Sequence, residues 1–291
     1  MSEAFRYIAP MTQAPPVVLS ISGFDPSAGA GTLADIKTLA AHGCYGVGCI
    51  TALTVQSTVG VKRVEPVSAK LVSETLEELA ADLPIAAARI GMLGSAAVVE
   101  VVADFLSAGR IPYVVLDPVL KSSSGADLID KKGAELIPKL LFSRSTVITP
   151  NIDEAAHLTG LPVSNVTEMK AAARKLHEMG AKSVVITGGH LERPIDLLSL
   201  EGPGGCEQLE FASERLRSTA THGTGCAFST AVAANLALEK QLSDAVVLAK
   251  AYVTKAIARA YPLGRGAGPI HHLFRMEEQP RPAQDAIEPK H

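Results

Sequence analysis

Residues 219–238 read TATHGTGCAFSTAVAANLAL, a turn with two glycines that opens directly into an apolar helix, with Cys226 as its first reactive side chain. The backbone N–H groups of Gly223, Thr224, Gly225 and Cys226 fall at the start of that helix, without intrahelical partners and with the positive end of the helix dipole behind them. Such a turn can receive an anion. A plain helix start would favour Ser, Thr or Asp as its cap and has no need of glycines on both sides of Thr224. A thiol at this position is expected to lose its proton more readily than a free cysteine. Simple burial is the alternative for Cys226, as it is for Cys44, Cys49 and Cys206.

Two carboxylates stand where apolar runs end: Asp117 in LDPV and Glu154 in TPNIDEAAHL. Asn151 and Asp153 suit the cap of the helix that carries Glu154, which accounts for part of that pattern. Asp117 is harder to explain locally, because a carboxylate closing the strand YVVL is buried at a cost unless a cation meets it. A hydrated Mg ion carried by phosphates is one such cation. Farther upstream, GFDPSAGAGTLADIKTL places Gly29 and Gly31 before a helix. The spacing matches neither the dinucleotide fingerprint nor the phosphate loop, so close approach to a small ligand and a tight strand-to-helix turn are equally good readings.

The elements that must hold these groups alternate regularly. VVLSISG, YGVGCIT, AARIGML, YVVLDPV, STVITPN and SVVITGG are short runs rich in Val and Ile, each bounded by Gly, Pro, Thr or Asn, as buried parallel strands are. Between them SAKLVSETLEELAADL places Leu71, Thr75, Leu76, Leu79 and Leu83 at helical spacing behind Ser68 as a cap, and SAAVVEVVADFLSAG ends on a glycine. Strand followed by helix, at least five times, predicts right-handed crossovers and a central, mostly parallel sheet covered on both faces, an α/β protein. DLLSLEGPGGCEQLEFASERL breaks the rhythm and predicts an antiparallel hairpin at the sheet edge, before two long helices at about 223–240 and 242–261.

Residues 17–275 are expected to form one domain, with residues 1–16 and the Pro- and charge-rich 276–291 disordered. A net charge of −3 with interleaved signs argues against a nucleic-acid partner, and the apolar runs are too short for a membrane span or a signal peptide. Four cysteines without metal or disulfide spacing fit reduced thiols in the cytoplasm.

GFDPSAGAGTLADIKTLAAHG, TALTVQST, RIGMLGS, DPVLKSSSG, TPNIDEA, ITGGH, THGTGCAFSTAVAA and GAGPIHHL occur in this order over roughly residues 17–274. That series resembles the hydroxymethylpyrimidine and phosphomethylpyrimidine kinases of thiamine biosynthesis, within the ribokinase-like superfamily. The resemblance implies a three-layer α/β/α sandwich and a homodimeric kinase that uses ATP and Mg. By position, Gln56 matches the glutamine that bonds the pyrimidine, Gly23 and Asp25 lie beside it, and Met92 and Val119 form apolar walls. Asp117 and Glu154 match the metal region, and Asn151, Thr187 and Gly189 the ATP phosphate region. Gly223, Thr224 and Gly225 match the anion hole, and Cys226 the residue at the reacting hydroxyl. Thr187 stands where many relatives carry a lysine, a loss of charge for which Lys121 is the candidate replacement. The resemblance leaves a pyridoxal kinase, or a catalytically silent pyrimidine-binding regulator, as alternatives.

Overall fold

The short apolar runs form strands and the amphipathic stretches form helices, in a computed structural model that describes residues 14–277 except Ser123, His190, Glu192, Pro203, Gly204 and Arg217. The segments expected to be disordered lie almost wholly outside the described residues. The strands are β1 (Val17–Phe24), β2 (Tyr45–Ser57), β3 (Gly60–Pro66), β4 (Ile85–Ile90), β5 (Tyr113–Leu116), β6 (Val147–Ile148), β7 (Ser183–Ile186), β8 (Ile195–Gly202) and β9 (Gly205–Ala212). The helices are α1 (Gly31–Ala41), α2 (Ala69–Asp82), α3 (Ala96–Ser107), α4 (Lys131–Leu141), α5 (Ile152–Thr159), α6 (Val166–Glu178), α7 (Thr224–Ala237), α8 (Leu242–Ala258) and the short α9 (Phe274–Glu277).

All nine strands join one sheet in the order β3-β2-β1-β4-β5-β6-β7-β8-β9. From β2 to β7 every pairing is parallel; β3 closes one edge antiparallel, and β8 and β9 form the expected hairpin at the other. Alternation along β1 sends Leu19 and Ile21 to a core shared with α2–α6 and sends Val18 to a second core shared with α1, α7 and α8. The result is the three-layer α/β/α sandwich. Helix α7 is the exception to amphipathic design: all eleven residues from Ala227 to Ala237 are buried, which its small side chains permit.

Three local details refine the sequence reading. Ser68 does cap α2, accepting from Leu71 N at 3.3 Å, but Leu71 turns outward and the buried stripe is Val72 and Leu76. Strand β3 was not expected; its sequence GVKRVEP carries three charges, and it is a strand because β2 runs on past the core and offers it a partner. The chain leaves β1 for β2 on one side and returns to β4 on the other, so β1 and β4 flank the point at which the sheet changes direction, where ligands bind in such folds. No helix among the described residues is long and apolar enough to cross a membrane.

Behind the sheet, His272 is buried and its Nε2 has no hydrogen-bond partner among the described residues. Burial, with Lys37 nearby, pushes this imidazole from 6.5 down to about 3, so the folded chain holds it neutral. A histidine with a depressed pKa contributes stability above the unfolded value, and that contribution is lost as the pH falls. The unfolding free energy from urea titrations should therefore drop between pH 6.5 and 5, by up to ~1.4 kcal/mol per pH unit from this group. In His272→Leu the slope should be shallower, and identical slopes in the two proteins would remove His272 as its source.

Candidate active site

Helix α7 begins at the glycine turn. Gly223 is its N-cap, with φ 77° and no side-chain cap, so the first N–H groups of the helix are left for an external partner. Glycine is required here twice over. The left-handed conformation disfavours a Cβ, and a Cβ would lie 1.9 Å from the carbonyl oxygen of Gly29. The loop from Phe24 to Ala30 is thus pressed against the turn, with Gly29 itself packed against the His222 ring. The two glycines of the upstream loop thus serve packing within the chain, Gly29 against the His222 ring and Gly31 against the Gly23 carbonyl.

Asp25 organises that loop. Its Oδ1 accepts from Ser27 N at 2.8 Å and from Ser27 Oγ at 2.7 Å, while Oδ2 accepts from Ala30 N at 2.9 Å and contacts His222 Nε2 at 2.8 Å. Burial would raise this carboxyl, but the bonds from His222 and Ser27 outweigh it and hold Asp25 below the ordinary carboxylate value.

Gly23, Asp25, Gln56, Met92, Val119 and Cys226 converge on a single cavity of about 50 Å³, which Phe24, Thr54 and Arg89 also line. Gln56 lies near the end of β2. The Thr54 hydroxyl sits 3.1 Å from Gln56 Oε1, and Gln56 Nε2 is 3.3 Å from His222 Nε2. Since the shorter, charge-assisted contact commits the His222 Nε2 proton to Asp25, that nitrogen cannot also accept from Gln56, and the amide N–H groups stay available to a ligand. Gln56→Leu should accordingly weaken binding of a polar heterocycle by about 1–3 kcal/mol. ATP affinity should stay unchanged. Unaltered kinetics for the organic substrate would remove Gln56 from its recognition.

Asp117, closing β5, does meet a cation, and it is Arg89 of β4. The guanidinium donates from Nη2 to Asp117 Oδ2, from Nη1 to Asp35 Oδ2 at 3.1 Å and from Nε to Ser229 Oγ at 3.1 Å. Burial raises the pKa of Asp117 in spite of Arg89. Glu154 is pushed up to about 8 by burial and then by the charge of Asp117. Its Oε2 accepts from Asn151 N at 2.9 Å, and Asn151 Oδ1 accepts from Glu154 N at 2.9 Å, a reciprocal cap of α5. Burial and the charge of Asp117 both hold Glu154 back from ionising, which a bound cation would relieve. Among the described residues no cluster of three or more ligating side chains occurs.

Asn151 and Thr187 are bridged at the adjacent ends of β6 and β7, with Thr187 N donating to Pro150 O at 3.0 Å and Gly189 exposed just beyond. Lys121 pairs at 3.6 Å with Asp127 on the surface. A lysine reaches the loop from behind: Lys250 Nζ is 2.7 Å from Asp196 Oδ2, whose Oδ1 accepts from Gly188 N at 3.0 Å.

The expectation of an easily ionised thiol is overturned. Burial, reinforced by Asp117 and Asp35 and only partly opposed by Arg89, pushes Cys226 up to about 11. Desolvation outweighs the helix terminus, so Cys226 is a neutral thiol at neutral pH. Cys44 and Cys49 are buried as expected, whereas Cys206 and Cys226 are partly exposed. Arg89 and His222 are the site residues that the sequence reading passed over. Their signals were a charge inside the apolar run AARIGML and a histidine directly before the glycine turn. On the other side of that turn lies an open cleft of about 740 Å³ between Thr219 and Ala220 and the segment after α8, including Tyr261 and Gly268.

The family described as Phosphomethylpyrimidine kinase matches residues 25–271. The Aquifex aeolicus hydroxymethylpyrimidine/phosphomethylpyrimidine kinase is 40% identical over 252 residues, 86% of this chain and 97% of that protein. The thiamine biosynthesis bifunctional protein ThiED of Geobacter sulfurreducens is 40% identical over 90% of this chain, which spans only 53% of that longer protein. An ADP complex of Bacillus subtilis pyridoxal kinase superposes with a TM-score of 0.81 at 31% identity, over 90% of this chain and 100% of that one. The fold is therefore ribokinase-like, and the glycine turn with Cys226 and the Gln56 pocket sit on a chain that belongs to the phosphomethylpyrimidine kinase family.

Proposed function

We propose that the protein is an ATP-dependent kinase that phosphorylates 4-amino-5-hydroxymethyl-2-methylpyrimidine to its monophosphate and then to the diphosphate, in thiamine biosynthesis. The observation that carries this reading is that the Gln56 amide, with its N–H groups available, and the Cys226 thiol line one pocket at the mouth of the glycine turn. A glutamine amide presents a donor and an acceptor, as the edge of an aminopyrimidine requires. Met92 and Val119 supply the apolar walls for its ring. The N–H groups of Thr224, Gly225 and Cys226 face the charge that builds on the transferred phosphoryl group, and phosphoryl transfer depends mostly on such positioning and neutralisation. The open cleft beside the turn takes the nucleotide base, with Asn151, Thr187 and Gly189 toward its phosphates. Asp117 and Glu154 would hold Mg, which supplies neutralisation of the phosphate charge when bound. Exposed Leu53, Val55 and Val59 on the β2–β3 hairpin support a homodimer, and the reading places the enzyme in the cytoplasm.

Pyridoxal is a second reading, favoured by the likeness to the Bacillus subtilis kinase. Incubation with hydroxymethylpyrimidine, pyridoxal and MgATP in parallel, followed by mass spectrometry, separates the readings. Sequential monophosphate and diphosphate of the pyrimidine is the expected result. Pyridoxal phosphate alone would replace this reading with the second, and no consumption of ATP would mark a silent binding protein.

A further inference from the structure

Arg89 is fully buried, yet its guanidinium lines the cavity beside Cys226, Gly23 and Met92, and it is the one cationic side chain among the described residues that do so. Of its five N–H groups, three are directed at Ser229, Asp35 and Asp117. The guanidinium also hydrogen-bonds the Cys226 side chain, so at most one N–H remains beyond these four partners. The main chain is bare where the guanidinium lies: a Cβ on Gly91 would fall 2.1 Å from Nη1. The arginine is thus built into the floor of the pocket, between two carboxylates whose charges it offsets.

The two nucleophiles that this pocket must accept differ in charge. The alcohol is neutral, and a phosphate monoester carries about −1.5 to −2 near neutral pH. An anion entering above Asp35 and Asp117 without the guanidinium would meet two carboxylates, a repulsion that the alcohol does not feel. Resting on the two-step reading above, we propose that Arg89 determines specificity between the two steps: its positive charge admits the anionic monophosphate as nucleophile and is dispensable for the alcohol.

The test is kcat/KM measured separately on the alcohol and on the monophosphate. In Arg89→Gln the value for the monophosphate should fall at least ~10-fold further than the value for the alcohol. Arg89→Lys, which keeps the charge and loses the fork, should hold the ratio within about threefold of wild type while lowering both values. Asp35→Asn removes one opposing carboxylate and should move the ratio the other way, in favour of the monophosphate by about threefold or more. The serine and threonine hydroxyls around Asp35 can turn to serve the new amide. That variant decides the matter if Arg89→Gln does not fold, because a purely structural arginine predicts no change of ratio in Asp35→Asn. Equal losses in both steps for Arg89→Gln, or an unmoved ratio in Asp35→Asn, would overturn the proposal. A wild-type protein that forms no diphosphate would overturn the two-step reading and this proposal with it, and the variants would not be needed to show it.

Discussion

Cys226→Asp should keep much of the first phosphorylation and lose most of the second. The thiol is neutral at neutral pH, pushed up to about 11 by burial, with the charges of Asp117 and Asp35 adding to the rise, and it lines the pocket with Arg89. An aspartate would add another carboxylate a few ångströms from the incoming nucleophile. A neutral alcohol tolerates that, and can hand its proton to the new carboxylate as it attacks. A phosphate monoester does not. At short range and an effective dielectric near 20 the repulsion is about 3–4 kcal/mol, on the order of 100-fold to 1,000-fold in rate. Cys226→Ala adds no charge, and a thiol that stays protonated takes no proton from the alcohol, so this variant should keep the ratio of the two steps near that of wild type. A residue conserving volume alone predicts matching losses in the two steps for Cys226→Asp as well, and steady-state rates on the two substrates measured separately would show them. The neutral thiol changes the physical reason for a cysteine at this place. Its usefulness lies in imposing no charge on either nucleophile, rather than in ready ionisation.

The second large effect is steric. Gly223→Ala should reduce kcat by more than ~100-fold and cost about 2–4 kcal/mol of stability, since the new methyl would stand 1.9 Å from Gly29 O on a backbone with φ 77°. Either the turn or the Asp25 loop must move, and each carries part of the pocket. Gly225→Ala is the control within the same turn. No atom lies within 4 Å of a Cβ there, so the fold should be unharmed or gain up to ~1 kcal/mol from better helix propensity. A loss of rate in that variant at full stability would locate the effect in the anion hole itself. Comparable thermal stability for the two variants would contradict the assigned close approach of Gly223 to Gly29.

Much of this arrangement can be read from the residues alone, for identifiable reasons. Glycines around Thr224 and carboxylates at the ends of apolar runs are conspicuous because they violate the local rules for helix caps and buried strands. The repeated strand and helix periods establish the three layers and the edge hairpin. What escapes is whatever depends on pairing between distant segments. Arg89 stands in one apolar run and Asp117 ends another; only the parallel pairing of β4 with β5 shows that the first answers the second. His222 is an ordinary histidine until the loop of Asp25 is laid against it. Strand β3 is too highly charged to announce itself and forms on the extension of β2. The ionisation of Cys226 turns on the balance of two opposed effects, the helix terminus and desolvation, and burial settles the sign.

The central claim is that one pocket, bounded by Gln56, Arg89 and Cys226, serves both phosphorylations in turn. Its most direct test is inhibition of the first step by the substrate of the second, with initial rates of monophosphate formation followed by isotope label on the alcohol. Purely competitive inhibition by unlabelled monophosphate against the alcohol is expected, with an inhibition constant equal, within error, to the KM of the monophosphate in the second step. Noncompetitive inhibition, or none at concentrations that saturate the second step, would place the two reactions in different sites and contradict it.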